Sequence, residues 1–344
     1  MSDAIDHVDL DQLASWMDQH GLGEGPLADV TELTGGTQNI LLRFERSGRS
    51  YVLRHPPRHK RKNSDETMRR EARVLGALAG SDVPHPGLIA AEPSLDVLGS
   101  AFYLMEPVEG FNPSEGLPAP HRDDADLRHA MGLSMAAAAA SLSRVDHVAV
   151  GLGDFGKPDG WLERQVERWR GQLRGYDQLD GYPGPDIPGV ERVADWLEAN
   201  QPPTWEPGII HGDLHFANVL VRHDGPELAA VVDWELCTIG DPLLDVGHLL
   251  ATWPEDGGVP GGVGGSITDL PSKDELVAHY ATLSTRAVDD IDWFHVLACY
   301  RLGIILEGTH ARAFAGKAPK DIGDLLHATT VGLFERALGV IDDA

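Results

Sequence analysis

Residues 217 to 234, ANVLVRHDGPELAAVVDW, constrain the fold more than any other stretch. Two apolar runs flank HDGP, and the succession Asp, Gly, Pro favours a tight reversal of the chain. Pairing residues 217–222 with 227–232 puts Asn218 nearly opposite Val231 and brings Asp233 to the same end of the hairpin. Just upstream, IIHGDLHF sets His211, Asp213 and His215 on a loop that leads into the first strand. Ionisable groups therefore collect at one end of an apolar hairpin that can hold them rigid.

The residue types there suit one chemistry. Asn218 and Asp233 offer hard oxygens of the kind that Mg²⁺ accepts together with waters and substrate phosphates. Asp213, five residues before Asn218, is free to take a proton. A metal-held nucleoside triphosphate and an oriented base are what phosphoryl transfer to a hydroxyl requires. His211 reads as a scaffold residue whose ring holds the loop. His211 and His215 lie four apart, but on a loop entering a strand rather than on one helix face, so a zinc pair is a weak reading.

The rest of the chain divides into two lobes of different character. Between Leu27 and Leu53, VTELTGG, NILLRFERSG and RSYVLRH alternate in short β-prone runs separated by turn glycines, which predicts three antiparallel strands. A basic loop (56–62) leads into SDETMRREARVLGALAG, where Met68, Ala72, Leu75 and Leu78 fall at helical spacing and Ser64 can cap. PHPGLIAAEP and SAFYLMEPVEG predict two more strands, and Pro107 with Gly110 ends the second at a natural hinge. Long helical segments follow, among them DADLRHAMGLSMAAAAASLSRV, GWLERQVERWRGQLRGY and DWFHVLACYRLGIILEGTHARAF. The expectation is an α+β fold of two lobes. Residues 1–107 form a small antiparallel sheet with one main helix, and residues 108–344 form a larger, mainly helical part. The Gly-rich run 256–266 reads as a mobile surface connection, because no strand leads directly into it.

Composition narrows the partners. A chain of 344 residues with 42% hydrophobic content can bury a sizeable core. Its formal net charge of -26 disfavours nucleic acid, whose phosphates reward clustered Lys and Arg. The same charge is compatible with a cationic small substrate and equally with an acidic, solubilising surface. No apolar run reaches the length of a membrane span, and MSDAIDHVDLDQL is acidic where a secretory signal needs a basic start, so the expected compartment is the cytoplasm. Cys237 and Cys299 stand far apart among apolar residues and read as buried thiols. A single sequence carries no signal for the oligomeric state.

HGDLHFAN followed by VVDWE resembles the catalytic loop and metal-binding segment of the aminoglycoside phosphotransferase family, which is related in fold to protein kinases. GDPLLDVGHLL is similar to the family's continuation. The resemblance implies a bilobal protein-kinase-like fold that uses ATP and Mg²⁺. It makes Asp213 the base, with His211 in the same loop, Asn218 and Asp233 the metal ligands, and Asp245 the support of the loop. Gly35, Gly36, Thr37, Gln38 and Asn39 of LTGGTQN become the turn over the nucleotide. Arg54 becomes the cation of the third strand, standing where the family usually has Lys, and Glu71 its partner on the helix. Met105, Glu106 and Val108 become the hinge against which adenine rests.

GGTQNILLRF, VDHVAVGLGDFG and YRLGIILEGTHAR look most like a subgroup: the kinase-like domain fused to some eukaryotic acyl-CoA dehydrogenases and its stand-alone bacterial relatives. What the resemblance implies is transfer of a phosphoryl group to a hydroxyl of a small molecule. The acceptor is left open among a hydroxylated acyl compound, another metabolite and an aminoglycoside. Two other readings remain beside it. One is a catalytically silent nucleotide-binding module; the other is a metal-dependent hydrolase using His211, Asp213, His215 and Asp233.

Overall fold

The computed structural model describes residues 5–33, 39–254 and 267–344. Two compact units emerge, the first of residues up to 109 together with 232–237, the second of 110–231 together with 238–344. Of the segments singled out above, residues 34–38 and the Gly-rich run 256–266 lie outside the described residues.

The first unit opens with α1 (Leu10–Gln19), followed by β1 (Ala28–Glu32), β2 (Ile40–Arg46), β3 (Arg49–His55), α2 (Ser64–Ala77), β4 (Leu88–Glu92) and β5 (Phe102–Met105). Its strands make one antiparallel sheet in the order β1-β2-β3-β5-β4. Ser47 and Gly48 both take positive φ, as a two-residue hairpin between β2 and β3 demands. Burial alternates along β2, so Ile40, Leu42 and Phe44 face inward and meet Leu53, Phe102 and Leu104.

The sequence reading started the ordered part of this lobe at Leu27; the structure adds α1 upstream. Asp9 caps it by accepting the Gln12 amide at 3.0 Å, and Leu13, Trp16 and Met17 join the core of the sheet. The buried Arg46 ties β2 to this helix, donating to the Ala14 carbonyl at 2.9 Å and pairing with Asp18. A second correction concerns Ser64. It is the first helical residue of α2, not the cap, because its Oγ instead accepts the Arg61 amide at 2.9 Å and closes the preceding turn.

The second unit contains α3 (Ala119–Asp123), α4 (Ala125–Ser143), α5 (Gln165–Gly175), α6 (Val190–Ala199), the short strands β6 (Gly208–Ile210), β7 (Val219–Val221), β8 (Leu228–Val231) and β9 (Thr238–Gly240), then α7 (Leu243–Thr252), α8 (Lys273–Leu283), α9 (Ile291–Phe314) and α10 (Lys320–Asp343). β7 pairs with β8 across the HDGP turn, and β6 pairs with β9. The hairpin is shorter than its apolar runs suggest. Val219, not Asn218, faces Val231, because residues 216–218 form a single 3₁₀ turn in which the Asn218 amide donates to the His215 carbonyl at 2.9 Å. Cys237 and Cys299 are buried and unbridged. No described helix is long and apolar enough to cross a membrane.

α7 reaches α9 through a glycine. A Cβ on Gly247 would lie 2.3 Å from the Phe294 carbonyl oxygen, a backbone atom that cannot swing aside. Gly247→Ala is expected to destabilise the chain by about 1–3 kcal/mol, the usual cost of overpacking a tight contact, measured by urea unfolding. An unchanged midpoint would show that the two helices do not depend on this approach.

Candidate active site

Chain geometry starts the second unit's site. Residues 211–218 leave β6 at Ile210, which is paired with Thr238 of β9, and end where β7 begins. Gly212 has φ +85, a conformation that costs a side-chain-bearing residue free energy. The loop's first two amides point into the interior and need acceptors. Asp245, on the first turn of α7 and 1% exposed, supplies both: its Oδ2 accepts the His211 amide at 2.7 Å and its Oδ1 the Gly212 amide at 2.8 Å. Burial pushes the Asp245 carboxyl up to about 6, and the two amides hold it from going further.

Four groups converge on Asp213. Its amide donates to His211 Nδ1 at 3.2 Å, and Asn218 Nδ2 donates to its carbonyl at 2.9 Å and to its Oδ2 at 3.0 Å. His215 Nε2 stands 3.4 Å from Oδ2, and His248 Nε2, fully buried on α7, stands 3.2 Å from Oδ1. Burial alone would raise the Asp213 carboxyl, but His215 and His248 outweigh it and hold it well below the usual carboxylate range. It is ionised at any ordinary pH. The three-residue group of metal-ligating type here is Asp213, His215 and His248. His211, which the hydrolase reading requires, has its Nδ1 turned to the Asp213 amide instead.

The first unit holds a second cluster. Arg54 of β3 grips Glu71 of α2 at two points, Nε to Oε2 at 2.7 Å and Nη2 to Oε1 at 2.9 Å, and its Nη2 also meets Asp233 Oδ1 at 2.8 Å. Tyr103, opposite Arg54 in the sheet, donates its hydroxyl to Glu71 Oε2 at 2.9 Å. Burial works against the Arg54 charge, yet Glu71, Tyr103 and Asp233 together raise the guanidinium above its ordinary value. Burial also pushes Glu71 up, with Arg54 opposing it; the two-point grip keeps the pair ionic. Asp233 itself sits at φ 65, ψ 65, a left-handed conformation that Asp tolerates better than most residues. Glu235 completes the group: burial, then Asp233 and Glu71, push its carboxyl up to about 7.

The remaining sequence candidates fall as follows. Gly35, Gly36, Thr37 and Gln38 are outside the described residues. Asn39 precedes β2 and, with Arg61, Lys62 and Glu235, lines a cavity of about 550 Å³ in the first unit. Met105 ends β5 half-buried. The Glu106 amide is committed to the Gly87 carbonyl at 2.8 Å and its carboxylate to Arg49 at 3.2 Å, and Val108 is half-buried. The sequence reading missed His248 and Tyr103 as partners, and placed Glu235 near the metal site without a role. His248 had a signal, since it follows Asp245 by three on a helix and shares its face.

A Lys-like cation held by a helical Glu, a loop Asp oriented by an Asn five residues on, and a second Asp after a hairpin define the protein-kinase-like class. The family model of the phosphotransferase enzyme family matches residues 29–275, and the chain belongs to that family. A Ralstonia eutropha JMP134 protein of known structure, carrying the provisional name aminoglycoside phosphotransferase, is 30% identical, with a TM-score of 0.80 over 96% of this chain and 99% of that one. A thermostable aminoglycoside phosphotransferase APH(4)-Ia, solved as a ternary complex with AMP-PNP and hygromycin B, shares the fold at 14% identity, with a TM-score of 0.58 over 93% of this chain and 99% of that one. Chicken acyl-CoA dehydrogenase family member 11 is 31% identical over 302 residues, 84% of this chain and 37% of that protein. The chain spans 27% of the length of mouse acyl-CoA dehydrogenase family member 10 and 43% of that of rat member 11.

The Glu235 carboxyl gives a stability test. It keeps its proton up to about 7 in the folded chain against 4.5 ordinarily, so its contribution to stability is present at low pH and lost as pH rises through about 7. Raising the pH from about 5 to about 8 is expected to lower the melting temperature of the metal-free protein more than that of Glu235→Gln. Equal losses in the two proteins would remove Glu235 as the cause.

Proposed function

We propose that the chain moves the γ-phosphoryl group of ATP to a hydroxyl of a small molecule. The observation that carries this reading is the Asp213 carboxylate, ionised and fixed by Asn218, His215 and His248. Phosphoryl transfer needs little covalent help from the protein; it needs alignment and charge stabilisation. A carboxylate as acidic as Asp213 orients the hydroxyl and takes its proton late, as phosphorus–oxygen bonding develops. His211, bonded to the Asp213 amide, keeps the loop in register for this.

The nucleotide reading assigns the adenine to Met105, Glu106 and Val108 and the phosphates to residues 35–39 and Arg54. Because Arg54 already shares its Nη2 between Glu71 and Asp233, it meets phosphate as an oriented, immobile cation. Asn218 Nδ2 is used by Asp213, so the amide's Oδ1 is the atom available to a cation; the reading gives Mg²⁺ this oxygen and the Asp233 carboxylate, hard donors of the kind it takes. Bound Mg²⁺ supplies neutralisation of the transferring phosphates. The acceptor falls among hydroxylated acyl compounds, other hydroxylated metabolites and aminoglycosides.

Asp213→Ala is expected to lower the transfer rate by roughly 10²–10⁴ while leaving Mg-ATP affinity nearly intact, read by steady-state kinetics and calorimetry. Full turnover in the variant would remove Asp213 as the base. Asp233→Ala should weaken Mg-ATP binding in the same titration. Because Asp213 is ionised well below its ordinary range, the rate–pH profile should show no acid limb from it above about pH 4. Mg-ATP binding without transfer to any hydroxyl acceptor would favour the silent-module reading instead.

A further inference from the structure

Arg301 of α9 is 6% exposed, and its Nη1 has no hydrogen-bond partner among the described residues. Asp213 and Asp245 attract it only at longer range, and burial still pulls the guanidinium below its ordinary value. Its charged end lies 5.5 Å from the centre of the Trp169 ring, and that of Arg168 lies 4.7 Å from the same ring. A cation over an indole is favourable, but two cations share this one and each disfavours the other. Trp169 Nε1 is a further buried donor with no hydrogen-bond partner among the described residues.

Arg168 also opens onto a cavity of about 240 Å³, lined in addition by Lys157, Arg164 and Trp161. Among the described residues, Arg164 donates only to the backbone carbonyls of Asp159 and Lys157. Among the described residues no acid pairs with Lys157, Arg164, Arg168 or Arg301. In a chain with 28 Lys and Arg against 54 Asp and Glu, such a gathering runs against the overall charge. A buried guanidinium with unfilled donors is costly to fold, and an anion is the group that relieves it.

We infer that these residues bind an oxyanion carried by the phosphate acceptor, a carboxylate or a phosphate, with Arg301 and Arg168 gripping it around Trp169 and Lys157 and Arg164 drawing it in. The inference rests on the phosphotransferase reading and adds to it the acceptor's charge. Asp213 contributes to the electrostatic environment of Arg301, and an acceptor anchored there by its anionic end would need its hydroxyl to reach Asp213. A polycationic acceptor would be repelled by the same groups.

Calorimetry on the full chain without nucleotide tests this, with glycerate, glycerol 3-phosphate, glycerol and kanamycin as probes. At least one of the two anions should bind, glycerol and kanamycin should not, and Arg168→Gln should weaken the anion by about tenfold while folding normally, being a surface change. Arg301→Gln should abolish it. Which anion binds tighter tells a carboxylate site from a phosphate site. The inference is overturned by anion affinity that Arg168→Gln leaves unchanged, by glycerol or kanamycin binding as tightly as the anions, or by no binding of either anion. Mg-ATP titrated into the same protein separates the two ideas. Mg-ATP binding without anion binding rejects this site alone; anion binding without Mg-ATP binding rejects the phosphotransferase reading, and with it the assignment of the anion to a phosphate acceptor, while keeping the anion site.

Discussion

The loop of residues 211–218 depends on one buried carboxylate. Two consecutive amides, those of His211 and Gly212, point into the interior, and Asp245 accepts both. Without it those donors would be stranded, at a cost of about 1–3 kcal/mol each. The left-handed Gly212 that follows His211 turns the chain so that Asp213 faces its partners. α7, which carries Asp245, carries His248 on the same face, and it is held against α9 by the close approach at Gly247. One short helix therefore both supports the loop and contacts Asp213.

Asp245 and Asp213 show how environment separates two like groups. Asp245 has backbone amides for company and Arg301 acting only at longer range, so burial pushes it up to about 6. Asp213 meets two imidazoles and an amide, and falls well below the usual range. One is suited to holding a loop and the other to remaining an anion. The first unit solves a related problem differently. Glu71, Asp233 and Glu235 crowd together, and the single guanidinium of Arg54 bonds directly to two of them, which fixes the strand, the helix and the segment 232–237 in one cluster.

Net charge says little about either cluster. The excess of acids is spread over the surface, whereas Arg54 and Arg301 are buried cations whose surroundings were chosen residue by residue. Local chemistry, not the sum of charges, decides what such sites accept.

Much of this was legible in the sequence because its signals are local. HDGP and its flanking apolar runs specify a hairpin, alternation in NILLRFERSG specifies a half-buried strand, and helical spacing in SDETMRREARVLGALAG specifies α2. The order Arg54, Glu71, Asp213, Asn218, Asp233 and Asp245 could be read as a set from family resemblance. What sequence could not supply were contacts between residues with no fixed spacing. Tyr103 meets Glu71 only because β5 lies beside β3, and α1 became part of the core only because Arg46 and the sheet gave it a surface. Asn218 missed the strand by one residue because a 3₁₀ turn held it first. The residue types that carry the chemistry were thus written in the chain. Which groups press on them, and so set their charge, was decided only when burial removed water from between them.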